Sequence, residues 1–142
     1  MSIPKNIDVI DLRSFEYLEN LKNNTLPVSE NNQVWYHCFV PKEVKENENE
    51  FVLMSFGETL LIRYDEKNKE FSYQTLSFLS SLRYCTSYAF VYWNHRIFIF
   101  GGYNIEQEKC IDSIWIYNIK EKSWKEYHSK MPFAISSAVC GK

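Results

Sequence analysis

The sequence predicts an all-β fold built from small antiparallel sheets, and three observations carry that prediction. Aromatic residues fill 17% of the 142 positions, as ten Phe, ten Tyr and four Trp. Such side chains favour pleated, half-buried surfaces. The apolar stretches are short and are cut by charged or glycine-containing turns. The aromatic landmarks return at a spacing of 53 to 54 residues, the mark of one supersecondary unit used repeatedly.

Taken in order, nine runs read as strands: Ile7–Leu12, Val34–Val40, Phe51–Phe56, Thr59–Tyr64, Glu70–Thr75, Tyr88–Trp93, Arg96–Phe100, Ser113–Tyr117 and Ser123–Tyr127. Their lengths match the common strand of about five or six residues. Ile114-Trp115-Ile116-Tyr117 is apolar on both faces, as in a strand lying between neighbouring sheets. Phe15–Leu21 fits a helix or a strand. Trp93-Asn94-His95-Arg96 reads as a tight hairpin, because Asn tolerates positive φ. Asp65–Glu70 and Asn118–Ser123 read as solvated connections, and Glu43–Glu50 as a longer, mobile charged loop on the surface.

Ile10, Tyr64 and Tyr117 are each followed seven residues later by an aromatic, namely Tyr17, Phe71 and Trp124. Upstream, Phe51–Gly57 corresponds to Arg96–Gly102, and Cys38–Val40 to Ala89–Val91. One unit is therefore a strand, a strand ending in Gly, a strand ending in Tyr, a strand carrying Trp or Phe, and a linker. That is a four-stranded antiparallel sheet, the pattern of a propeller blade. Gly57, Gly101 and Gly102 permit backbone angles and close approaches barred to other residues. Tyr64, Phe71, Tyr117 and Trp124 fill the wedge between adjacent sheets. Trp35, Trp93 and Trp115 are expected to be partly exposed.

Residues 83–132 resemble a kelch repeat, through Arg83, Ser87, the run into Gly101-Gly102, Tyr117, Trp124 and Met131-Pro132. Residues 34–79 resemble a degenerate copy. It keeps Gly57, Tyr64 and Phe71 but has Glu58 where a second Gly belongs, and lacks the Trp and the Met-Pro. The resemblance divides the chain into residues 1–30 (the last two strands of an incomplete blade), 31–80 (the degenerate blade), 81–132 (the well-matched repeat, with Pro132 structural) and 133–142 (the start of a further blade). It implies an incomplete β-propeller and, from the family's usual role, a partner that is a protein or peptide. Family members similar to galactose oxidase are enzymes, so a piece of such an enzyme is the alternative. Propellers usually close with about four to eight blades. About two and a half units leave open flanks and edges. Three arrangements fit: a fragment or truncated product without independent function, a ring closed by self-association through open blade edges, or an irregular first 80 residues capping the good blade.

Charge and composition narrow the partners. Sixteen basic and 18 acidic residues give a net charge of −2, too little positive charge to track a phosphate backbone or an anionic membrane. No apolar run reaches membrane-spanning length and the N-terminus has no signal-like apolar core, so the expected compartment is cytoplasmic. Cys38, Cys85, Cys110 and Cys140 have no metal-ligand spacing and read as reduced, mostly buried small hydrophobes. His37, His95 and His128 show no such spacing either. A copper centre would need Tyr, His and Cys to converge. His37 and Cys38 are adjacent, and neighbours on a strand point to opposite faces. No catalytic residue, cofactor or metal is therefore expected.

In the kelch family, partners are met by the loops between second and third strands and those leading into the first. By position this implicates Ser87, Tyr103 and Asn104, with Arg83 available to a partner's carboxylate. The plainer reading gives Ser87 and Asn104 to local backbone groups in turns and Arg83 to bonds within its own blade. The loop Asn104–Lys109 is the expected determinant of specificity.

Overall fold

A computed structural model describes residues 5–32, 34, 37–44 and 48–136. Strands β1 (Cys38–Val44), β2 (Glu48–Ser55), β3 (Glu58–Asp65) and β4 (Glu70–Thr75) form one antiparallel sheet in that order. A single 3-10 turn, Ser80–Leu82, leads to β5 (Cys85–Thr86), β6 (Ala89–Trp93), β7 (Arg96–Phe100), β8 (Tyr103–Asn104), β9 (Lys109–Cys110), β10 (Ile114–Asn118) and β11 (Ser123–Glu126). The second four-stranded sheet has the order β11-β10-β7-β6, and β5, β8 and β9 make a small third sheet beside it.

The turns follow from their residues. Phe56 and Gly57 close β2 onto β3 with φ of 39° and 90°, and Asn94 and His95 close β6 onto β7 with 47° and 58°. Two consecutive positive φ values match the twist of a tight hairpin, and Gly or Asn carries that geometry at least cost. The two charged connections are built alike. Asp65 accepts a hydrogen bond from the Asn68 N–H at 3.0 Å, and Asn118 accepts one from the Lys120 N–H at 3.1 Å.

These connections set the register that the aromatic spacing reports. Tyr64 lies opposite Phe71 and Tyr117 opposite Trp124. The Tyr64 and Phe71 rings stack with centroids 4.6 Å apart, and the Tyr117 and Trp124 rings meet tilted at 4.9 Å. Ile10 and Tyr17 form the same kind of antiparallel bridge. A seven-residue spacing is thus a cross-strand pair closed by a short connection.

Two apolar clusters hold the sheets. Between them, Cys38, Val40, Val52 and Leu61 of the first sheet meet Ile97, Ile99 and Tyr117 of the second, with Trp115 and Trp124 packed at the margin. On the far side of the first sheet, Leu53, Leu60, Ile62, Tyr64 and Phe71 are covered by Ile7, Val9, Leu21 and Leu26. Each fully buried aliphatic side chain contributes about 1.5–3 kcal/mol relative to exposure.

Residues 5–26 are an irregular hairpin rather than two regular strands. Its backbone bonds run from the Leu18 N–H to Val9 O and from the Ile7 N–H to Asn24 O, so the register slips between them. Asn20 and Asn23, both at positive φ, absorb the slip. The displaced Lys22 pairs instead with the start of β4: the Phe71 N–H donates to Lys22 O at 3.0 Å. Phe15–Leu21 is not helical. Among the described residues that follow, Cys38–Val44 and the strands between Glu48 and Thr75 form a regular four-stranded sheet. The expected further copy from Ser136 to Cys140 lies outside the described residues apart from Ser136, as does Trp35.

The expected charged loop Glu43–Glu50 is mostly strand. β1 runs to Val44, β2 begins at Glu48, and Glu50 is buried with its side chain only 10% exposed. Its carboxylate takes hydrogen bonds from Lys42 Nζ at 2.5 Å and Arg63 Nε at 2.6 Å. Burial alone would raise the Glu50 carboxyl. The bonds and charges of Lys42 and Arg63 outweigh it and hold the group below the usual carboxylate range. A β-bulge between Pro41 and Glu43 sets Lys42 out of the ladder.

Candidate loop-surface binding site

The connection 101–113 distinguishes the second sheet from the first. Where β2 turns into β3 through Phe56-Gly57 alone, β7 leads through Gly101-Gly102 into β8, an exposed tip and β9 before β10 begins. The two glycines make that path possible. A Cβ on Gly101 would lie 2.5 Å from Ile135 O, and one on Gly102 would lie 3.0 Å from Thr86 O. They seat the strand end between the incoming segment 86–88 and the outgoing segment 131–135. The Gly102 N–H donates to Ile135 O at 2.8 Å.

The excursion walls an open groove of about 590 Å³. Ser80, Ser81 and Tyr84 of the inter-sheet linker form one side, and Asn104, Gln107 and Lys109 another. Tyr84 and Ile105 stand beside it, 39% and 46% exposed, joined by a 2.9 Å bond from the Ile105 N–H to Tyr84 O. Lys130 Nζ bonds Asp112 Oδ1 at 3.0 Å across the rim. The lining offers hydroxyl, amide and aromatic surfaces with charges of both signs.

Of the four residues chosen from sequence, Asn104 lines this groove. Its side chain is already employed, since Asn104 Oδ1 accepts the Gln107 N–H at 2.9 Å and fixes the turn at the tip. Tyr103 is half-buried on β8 opposite Thr86 and Cys110. Ser87 sits at φ 54° where the chain bends into β6. Arg83 is exposed, with its Cγ 3.3 Å from where a Cβ on Gly57 would stand. The structure therefore does not bring these four together in one pocket. The residues missed were Ser80, Ser81 and Tyr84. Their signal was weak, because a linker between strand runs has no periodicity to mark it.

Other expectations about side chains divide. Cys38 and Cys85 are buried as expected, and burial pushes their thiols up to about 12 and about 11. A thiol so disposed is a poor nucleophile at neutral pH. Cys110, by contrast, is exposed on the short edge strand β9, and Cys140 lies outside the described residues. His37 bonds Val34 O at 2.9 Å, His95 occupies the β6–β7 turn, and His128 lies against Tyr127 with ring centroids 4.4 Å apart. Among the described residues, no three His, Cys, Asp or Glu side chains form a group able to hold a metal ion. Trp93 is 64% exposed and Trp115 half-buried. Pro132 is exposed, and its neighbour Met131 makes the close contact with Gly101. Among the described residues, no helix is long and apolar enough to cross a membrane.

The Kelch motif matches residues 83–127. No curated protein matches the chain. The solved structure of YjhT, a kelch-type propeller, aligns with a TM-score of 0.52 and 16% identity, covering 76% of this chain. This chain spans 32% of that structure's length. The two stacked four-stranded sheets are consecutive blades: residues 83–127 carry the Kelch motif, and the chain has the fold of an incomplete β-propeller.

Proposed function

We propose that the chain is a non-catalytic, cytosolic interaction module that binds a protein or peptide on its loop surface. The observation that carries this reading is the groove walled by the 101–113 excursion, which the preceding blade does not have. A peptide laid there meets Tyr84 and Trp115 as rigid surfaces and Ser80, Ser81 and Gln107 as adaptable polar contacts. Such lining binds at low entropic cost. The mixed charge of Glu106, Lys109, Asp112 and Lys130 favours a partner of mixed or low charge over a polyanion.

The test is selection of binding peptides from a displayed random library against the purified chain, followed by affinity measurement with variants. Tyr84→Ala is expected to weaken a selected peptide at least about tenfold, the scale of one lost aromatic anchor, and the triple variant Ser80→Ala/Ser81→Ala/Gln107→Ala to weaken it as well. Unchanged affinity in both would remove the groove and the loop residues from the reading.

A further inference from the structure

The stack of sheets presents two outer faces of opposite kind. The second blade covers the first with Ile97, Ile99, Tyr117 and Trp124. Its other face carries Val91, Phe98, Phe100, Ile114 and Ile116, none of them fully buried, with Trp93 exposed at the margin. In blade register this open face corresponds to the Val52–Leu61 face of the first blade. Inside the chain, that kind of face is covered by a partner carrying the paired aromatics seven residues apart.

One more face of the covering kind exists, on the outer side of the hairpin 5–26. There Ile10 is bridged to Tyr17, and the two are 44% and 66% exposed. The inner side of the same hairpin, Ile7 and Val9, already packs on the first blade. Charge distinguishes the two outer faces as well. Exposed Arg96 and Lys125 flank Phe98 and Ile116, with Glu121 at the margin, whereas exposed Asp8 and Glu19 flank Ile10 and Tyr17.

We infer that these faces dock on each other between two copies of this chain, head to tail: the Phe98–Ile116 face of one copy covers the Ile10–Tyr17 face of the next. The contact repeats a stacking used twice within the chain, and it places Arg96 and Lys125 against Asp8 and Glu19. It is heterologous, so copies add head to tail, each leaving one face of each kind free until the rotation between copies closes a ring. This inference is independent of the loop-surface groove, which stays open.

Sedimentation velocity of the full chain over a wide concentration range tests it. The average mass is expected to rise above that of the monomer as concentration increases. Phe98→Asp and Tyr17→Asp should each return the chain to a monomer. An equimolar mixture of the two should form a one-to-one dimer that grows no further, because each variant keeps the face the other lost. Lys125→Glu changes an exposed side chain and leaves the sheet intact; it should weaken association several-fold, and by less in high salt. A wild type monomeric at every concentration overturns the inference. So does association that survives Tyr17→Asp, or a variant mixture that stays monomeric while both variants show wild-type circular dichroism.

Discussion

The two blades invert the relation between sequence motif and packing. The second carries the Gly-Gly, the Tyr and the Trp that define the kelch pattern, yet among the described residues no sheet covers one of its faces. The first has lost the second Gly and the Trp, yet its strands are longer and it is covered on both faces. What the pattern marks is therefore not the depth of burial. Gly101-Gly102 marks a long connection threaded between two neighbouring segments. The first blade, which turns directly at Phe56-Gly57, has no use for it. Burial follows from position in the stack, and the motif follows from the loop surface.

The largest expected effect reverses what the motif alone would say. Phe71 is 3% exposed inside the second cluster, whereas Trp124 is only partly buried at the rim of the first. Phe71→Ala should cost about 3–4 kcal/mol and Trp124→Ala about 2, although Trp is the larger side chain. Urea unfolding midpoints of the two variants check the order, and a larger loss at Trp124 would break the comparison.

The glycines sharpen it next. At Gly101 an added Cβ meets backbone oxygen, Ile135 O, at φ +60°. At Gly57 the nearest atom is the flexible Arg83 Cγ at 3.3 Å, with φ +90°. Gly101→Ala is expected to cost about 2–4 kcal/mol, strain plus a clash that must move the 131–135 segment. Gly57→Ala should cost about 1 kcal/mol, chiefly for its backbone angle. Thermal melts of both read the difference, and equal losses would deny that the two positions serve different ends.

A smaller effect concerns the ion-paired Glu50 of the first blade. Its folded-state pKa is depressed, so its stabilising contribution is complete above the ordinary carboxylate range and is lost as pH falls through the folded value. Lys42 and Arg63 keep 25% and 36% of their side-chain surface exposed, so screening reduces the effect. Glu50→Gln should cost about 1–2 kcal/mol at neutral pH. Wild type and variant should converge in acid, and a gap that persists there would assign the loss to packing instead.

Much of this architecture is legible in the sequence, for reasons particular residues make plain. Tyr64–Phe71 and Tyr117–Trp124 announce paired strands because a short capped connection fixes the distance between cross-strand partners. Asn94-His95 announces a hairpin because Asn tolerates positive φ, whereas Gly57 marks only a strand end and the Phe56-Gly57 turn itself emerges only in the structure. Glu50 was illegible: within a run of charged residues it reads as solvated, and its partner Arg63 lies on another strand. Asn32 was equally hidden. It is fully buried, takes the Ser55 hydroxyl at 3.0 Å and donates to Ser55 O, clipping the hairpin's exit to the Phe56-Gly57 turn. The groove was half legible. The variable tip Asn104–Lys109 was visible as a loop, but the linker side at Ser80–Tyr84 has no pattern, and Asn104 serves its own turn.

The central claim is that the two sheets stack face to face as consecutive blades. Methyl–methyl nuclear Overhauser contacts test it most directly. The account predicts cross-peaks joining Val40, Val52 and Leu61 of the first blade to Ile97 and Ile99 of the second. Cross-peaks confined to each sheet, with none between them, would contradict it.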